Sequence, residues 1–212
     1  VSPTHRRART ATTGRPEATT HAAIEAAAFA LFDERGFEET TMTAIAAAVG
    51  VAPRTLFRYY PSKNDIPWGQ FEETLAAFRA VLAATPATTS LVDGIHAAVL
   101  SYNAFPDETM ASHRRRMGLI LGTPALQAHS VLKYRAWREV ISQHVARCCG
   151  GRPADLFPQT VGHVSLALAL TAYEAWLSDE RASLADLIDE ALRGLRVYVS
   201  ADRGARDVRL RP

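Results

Sequence analysis

The sequence predicts an all-α fold, with a small N-terminal helical head and a larger helical body behind it. Three observations lead there. Strand-length alternation of Val, Ile and Thr is nearly absent, while apolar residues recur at three- and four-residue spacing along most of the chain. Helix punctuation bounds those stripes, with Thr or Ser before them and Gly or Pro after. And residues 41–65, TMTAIAAAVGVAPRTLFRYYPSKND, hold two short helical patterns hinged on Gly50. A chain of 212 residues, 48% of them apolar, suffices for one large or two small domains with their own cores.

In chain order, residues 1–19 read as a basic, disordered arm: Arg6, Arg7, Arg9 and Arg15 stand against Glu17 among Thr, Ser, Pro and Gly. Gly14-Arg15-Pro16 resembles the core of an AT-hook, a minor-groove reader, and makes Arg15 a candidate DNA contact. A solvated tail fits the same composition. Thr20 caps a first helix, His21 to Arg35, closed by Gly36. A second helix runs from Met42 to Val49 behind Thr41, and a third from Pro53 to Tyr60. Ala46 is small enough for the two to approach closely, Gly50 accepts a positive φ, Val51 and Leu56 plug the gap, and Pro53 suits a first helical turn. That is helix-turn-helix grammar. Leu56 and Phe57 give the third helix its apolar stripe. Pro61 stops it, and Ser62, with Asp65 three residues on, opens a long fourth helix reaching Ala84, with Pro67 in its first turn. Lys63 then lies at a helix N-terminus, which suits a phosphate contact.

The body follows. Thr85–Ser90 is the clearest break. A fifth helix spans Leu91 to Phe105, and Pro106-Asp107-Glu108 interrupts before a short sixth, Ala111 to Leu121. The seventh runs from Pro124 to Cys148, the eighth from Pro158 to Ser178, and the ninth from Leu184 to Val199, with a loose basic tail after it. The eighth is apolar around most of its circumference and so needs cover on more than one side.

Composition excludes several classes. No apolar run approaches membrane-spanning length, and no apolar core follows the basic N-terminus as in a signal peptide. Cys148 and Cys149, adjacent and alone, fit a reducing cytoplasm rather than a disulfide scaffold or zinc site. There is no phosphate-binding Gly-rich loop, no G-x-S-x-G and no H-x-x-x-H pair, so no catalytic residue, metal or cofactor is expected. The net charge of +2 carries little information by itself.

Thr55-Leu56-x-x-Tyr59-Tyr60-x-Ser62-Lys63, led by Gly36-Phe37-x-x-Thr40-Thr41 and Ile45-Ala46-x-x-Val49-Gly50-Val51, closely resembles the signature of TetR-type regulators. The match is dense over residues 20–66. Ala52 stands where that family usually has the capping Ser. The run Asn64-Asp65-Ile66-Pro67-Trp68-Gly69 is similar to that of regulators associated with mycofactocin gene clusters. The resemblance implies a helix-turn-helix DNA-binding domain at 20–66, a ligand-binding and dimerisation domain at 67–200 and a flexible tail at 201–212. It also implies a homodimer through the last two helices, and a one-component regulator, a repressor, that leaves a pseudo-palindromic operator when an inducer binds. On the third helix Arg54 and Thr55 are expected at base edges, with Arg58 beside them; Tyr59, Tyr60, Lys63 and Thr43 are expected at the DNA backbone.

His113-Arg114-Arg115-Arg116 has two readings: a solvated face pairing with Asp107 or Glu108, or an anchor for a phosphate- or carboxylate-bearing ligand. Tyr102, Phe105, Leu121, Leu126 and Trp137 supply an apolar wall nearby in sequence. Such a cationic mouth on an apolar cavity suits an amphipathic inducer such as an acyl-CoA, to which the mycofactocin-associated regulators are thought to respond. Another hydrophobic ligand is the alternative, and an all-α enzyme the remote one.

Overall fold

The computed structural model describes residues 19–209, with side chains through Ser200. All regular structure among these residues is helical, in two compact units that divide between Pro61 and Ser62.

The first unit contains α1 (His21–Arg35), α2 (Met42–Ala48) and α3 (Pro53–Tyr59). Thr20 and Thr41 cap α1 and α2 as the sequence predicts, each hydroxyl accepting from an amide three residues on, at 3.1 Å. Ile24, Ala28, Ile45, Ala46 and Leu56 are fully buried, and Phe29, Phe32 and Phe37 close the core around them. Gly50 takes φ 70°, letting the Val51 amide return to the Ala46 carbonyl at 2.9 Å. A Cβ there would meet nothing within 4 Å, so the turn requires the backbone freedom of glycine, not its small size.

The second unit begins with a broken helix where one long helix is expected. The long fourth helix is two elements: a 3-10 helix, Lys63–Trp68, and α4, Phe71–Ala83. Pro67 has no amide to extend the first, and Gly69, at φ 55°, turns the chain between them. Ser62 makes no backbone cap; its hydroxyl donates to the Asp65 carboxylate at 2.7 Å. The body continues with α5 (Leu91–Tyr102), α6 (Asp107–Gly122), α7 (Pro124–Cys149), α8 (Leu156–Ser178) and α9 (Leu184–Arg209).

In the body, three boundaries differ from expectation by more than two residues. Helix α5 stops early because Asn103 folds back, its Nδ2 donating to the Val99 carbonyl at 2.8 Å. Pro106 serves as the N-cap of α6, so Asp107 and Glu108 form its first turn, where carboxylates favour the helix dipole, and do not interrupt it. Helix α9, expected to end at Val199, continues to Arg209.

The core of the body is built from Phe71, Leu75, Phe78 and Leu82 of α4 together with Val99, Ile120, Trp137, Ile141, Val145, Tyr173, Trp176, Leu184 and Ile188. Helix α8 packs most extensively on α7 and α9. Gly162 permits the α7 approach: a Cβ would come within 2.9 Å of the Arg138 carbonyl. The face of α8 toward this core carries Gly162, Ser165, Ala169, Ala172, Tyr173 and Trp176; Val164 points to solvent and Leu166, Leu168 and Leu170 are half-buried. Cys148 and Cys149 are free, exposed thiols at the end of α7.

Candidate nucleic-acid interface and ligand-binding body

In the first unit, α3 divides cleanly. Leu56 points inward, while Pro53, Arg54, Phe57 and Arg58 are exposed and Thr55 is half-buried. Residues 53 and 57, like 54 and 58, are one helical turn apart, so these four form one outward face. Phe57, expected in the apolar stripe, is 50% exposed. Thr43 is exposed in the first turn of α2.

The two tyrosines serve the head itself. The Tyr60 hydroxyl donates to Glu25 at 2.7 Å, and the residue is only 2% exposed. Its expected contact with the DNA backbone is therefore corrected: the α3 terminus ends at Tyr59, and the extended backbone of Tyr60 turns its ring under α1. The half-buried Tyr59 donates to the Thr19 carbonyl at 2.7 Å, with its ring edge-on to His21. Together they fasten the end of α3 to the start of α1. Arg15 lies outside the described residues.

In the second unit, Lys63 is half-buried at the first turn of the 3-10 helix. That segment is held by the body. Asp65 accepts from His129 at 3.0 Å and pairs with Lys133 at 3.5 Å, both on α7. Burial pushes the Asp65 carboxyl up, yet hydrogen bonds from Ser62 and His129, with the fields of His129 and Lys133, bring it below its ordinary value. From α6, Arg116 donates to the Pro67 carbonyl at 2.8 Å.

Arg114 has a different task. Helix α8 ends at Ser178, leaving the carbonyls of its last turn without intrahelical partners. The Arg114 guanidinium donates to the Trp176 carbonyl and, at 3.3 Å, to that of Asp179, and it lies 4.0 Å over the Trp176 ring. It caps α8 with both hydrogen bonds and a charge complementary to the helix dipole. Arg115 is exposed.

Between α5, α6 and α8 runs a buried polar chain. Asn103 donates an amide hydrogen to the Val99 carbonyl, so its Oδ1 faces the Tyr173 hydroxyl and accepts from it at 2.8 Å. Tyr173 is then left to accept from His113 Nε2 at 2.8 Å, which fixes that imidazole as the Nε2–H tautomer. Phe105 stacks on the imidazole at 3.7 Å. Burial first, and the Arg116 charge second, lower the His113 pKa to about 4. Tyr102 and Trp137 share one aromatic cluster with Phe78, at 4.9 to 6.0 Å between ring centroids, and burial raises the Tyr102 pKa. Leu121 packs on the edge of that core, whereas Leu126 is fully buried outside it. A groove of about 360 Å³ lined by Arg135, Arg138, Glu139, Ala154 and Gln159 contains none of these residues.

Sequence reasoning missed the Asp65 hub and the His113 chain. Asp65 was visible as a capping residue; its partners on α7 leave no local signal. Among the described residues no cluster could hold a metal ion, and no helix is long and apolar enough to cross a membrane.

Comparison with known proteins accords with this geometry. Residues 24–66 match the family model for bacterial regulatory proteins of the tetR family, and residues 89–199 match the MftR C-terminal domain. The chain is 46% identical over 178 residues to the protein named mycofactocin biosynthesis transcriptional regulator MftR of Mycobacterium tuberculosis, covering 84% of this chain and 90% of that one. It is 29% identical to the HTH-type transcriptional regulator TcmR of Streptomyces glaucescens, covering 82% of each. Among solved structures, Thermus thermophilus FadR in complex with lauroyl-CoA shares the fold, with a TM-score of 0.55 at 24% identity, over 82% of this chain and 92% of that one. These are transcriptional regulators, not enzymes.

Proposed function

Because this chain belongs to the TetR family of transcriptional regulators, with a DNA-binding and a ligand-binding domain, we propose that it represses from a pseudo-palindromic operator as a homodimer and is released by a long-chain acyl-CoA. The observation that carries the DNA reading is the outward face of α3, where Arg54 and Arg58 stand exposed on the second helix of a helix-turn-helix. Arg54 and Thr55 read base edges, with Arg58 beside them; Thr43 and Lys63 contact the backbone, joined by Tyr59 when its hydroxyl exchanges the Thr19 carbonyl for a phosphate, and Arg15 enters the minor groove. Tyr60 holds the helix in place from beneath. The DNA-binding domain closes at Pro61, the ligand-binding domain begins at Ser62, and the setting is the cytoplasm.

Exposed apolar side chains favour dimerisation through the last two helices: Val164 on α8 and Val197, Tyr198 and Val199 on α9 all face solvent in the monomer. Two heads on such a dimer fit two half-sites at one separation only, so a small displacement costs much specific affinity.

The acyl chain lies among Tyr102, Phe105, Leu121, Leu126 and Trp137, where each buried methylene contributes about 0.8 kcal/mol. The exposed Arg115 holds phosphate, joined by Arg114 or Arg116 when either exchanges its carbonyl for the ligand. Exchange at Arg116 would free Pro67 and loosen the 3-10 helix that follows the head, which ties occupancy to DNA release. The lauroyl-CoA in the Thermus thermophilus relative supports this ligand class. The test is a chain-length series of acyl-CoAs titrated against operator-bound protein. Release should strengthen with chain length to a plateau; equal behaviour of free CoA and lauroyl-CoA would assign the body to another hydrophobic ligand.

A further inference from the structure

The outward face of α3 carries a residue that the basic reading leaves without a task. Phe57 is 50% exposed, and among the described residues of the first unit it is the one large apolar side chain that stays in solvent. Phe29, Phe32 and Phe37 are all buried, and Leu56, its neighbour, is fully so. Nor is Phe57 peripheral: it shares its face with Arg54, three residues before it, and with Arg58.

A phenyl ring can neither donate nor accept a conventional hydrogen bond. Set against a guanine N7 or O6, an adenine N7 or a cytosine amino group, it would strip water from a polar atom and return nothing. The major-groove edge of DNA offers one apolar group, the C5-methyl of thymine. Resting on the reading of α3 as the helix that enters the major groove, we propose that Phe57 is a specificity-determining residue that packs on a thymine methyl in each operator half-site. Arg54 and Arg58 flank it with the donors that guanine accepts, so the half-site carries a thymine close to guanine.

The test uses the full chain and an operator selected from genomic fragments. Each thymine is replaced in turn by uracil, which removes the methyl and leaves every hydrogen-bonding group in place. Loss of one methyl contact lowers affinity about fourfold, and roughly fifteenfold when both half-sites are changed. The wild type should show this loss at one symmetric position. Phe57→Ala, at an exposed site that the fold does not need, should bind the thymine and uracil operators alike and keep the wild-type salt dependence, because the ring neutralises no phosphate. A wild type indifferent to uracil at every position overturns the proposal, and so does a Phe57→Ala protein that still discriminates. A wild type that binds no operator at all rejects the DNA-binding reading itself, which the first titration reveals before any uracil is introduced.

Discussion

His113 should make the body sensitive to mild acid, in a direction the structure fixes. Its Nε2–H is committed to Tyr173, so a second proton must enter at Nδ1, on a ring pressed against Phe105 and near the Arg116 charge. The folded protein therefore resists protonation, with a pKa of about 4 against 6.5 for the free side chain. A depressed histidine pKa means that the unfolded chain binds more protons between those values. Its contribution is fully present above pH 6.5 and is lost as pH falls toward about 4. At about 1.4 kcal/mol for each pH unit separating the two states, the loss amounts to about 3 kcal/mol. Urea denaturation from pH 7.5 to 4 would measure it, with His113→Gln as control: glutamine still donates toward Tyr173 and cannot titrate. The wild type should be the more stable at pH 7.5 and surrender most of that margin in acid. Parallel stability curves, or an imidazole NMR titration of His113 near pH 6.5, would refute the reasoning.

Three other perturbations test separate parts of the account. Asp65→Asn should cost about 1–3 kcal/mol at pH 7 by weakening the Ser62, His129 and Lys133 contacts; since the Asp65 pKa is lowered, that margin should shrink as acid protonates the wild-type carboxylate, as read by thermal melts. Arg54→Ala should relax base preference at one operator position, costing about 1–3 kcal/mol if the contact is bidentate; an unchanged binding-site selection would remove Arg54 from the base edges. Leu195→Asp should leave helix content intact and dissociate the dimer, because Leu195, unlike Leu187, is not packed on the monomer's core; a wild type that scatters light as a monomer at micromolar concentration would dispose of the interface.

What the sequence disclosed and what it hid follow one physical division. Thr20, Thr41 and Gly50 act on residues within five positions, so caps and turn are written locally. The long helix after Ser62 was misread because the apolar stripe continues through Pro67 and Gly69, and stripe spacing does not report the φ of one glycine. The contacts of the arginines were hidden for the opposite reason. Arg114 finds its acceptors at Trp176 and Asp179, and Arg116 finds Pro67, partners that only the packed body brings near. Tyr60 carried the right motif for a DNA contact, yet burial and Glu25 use it to hold the head together. Phe57 shows the limit of apolar patterning, since the same residue type serves a core or a reading face.

The central claim, a dimeric operator-binding regulator, is tested most directly by footprinting. Fragments retained from sheared genomic DNA would be titrated with the purified full chain, and both the protected bases and the protein-to-DNA stoichiometry read. A dimeric regulator should protect a pseudo-palindrome with half-site centres about one helical turn apart or a multiple of it, saturated by an even number of chains. Uniform protection without a defined site, or a single unpaired half-site saturated by one chain, would contradict it.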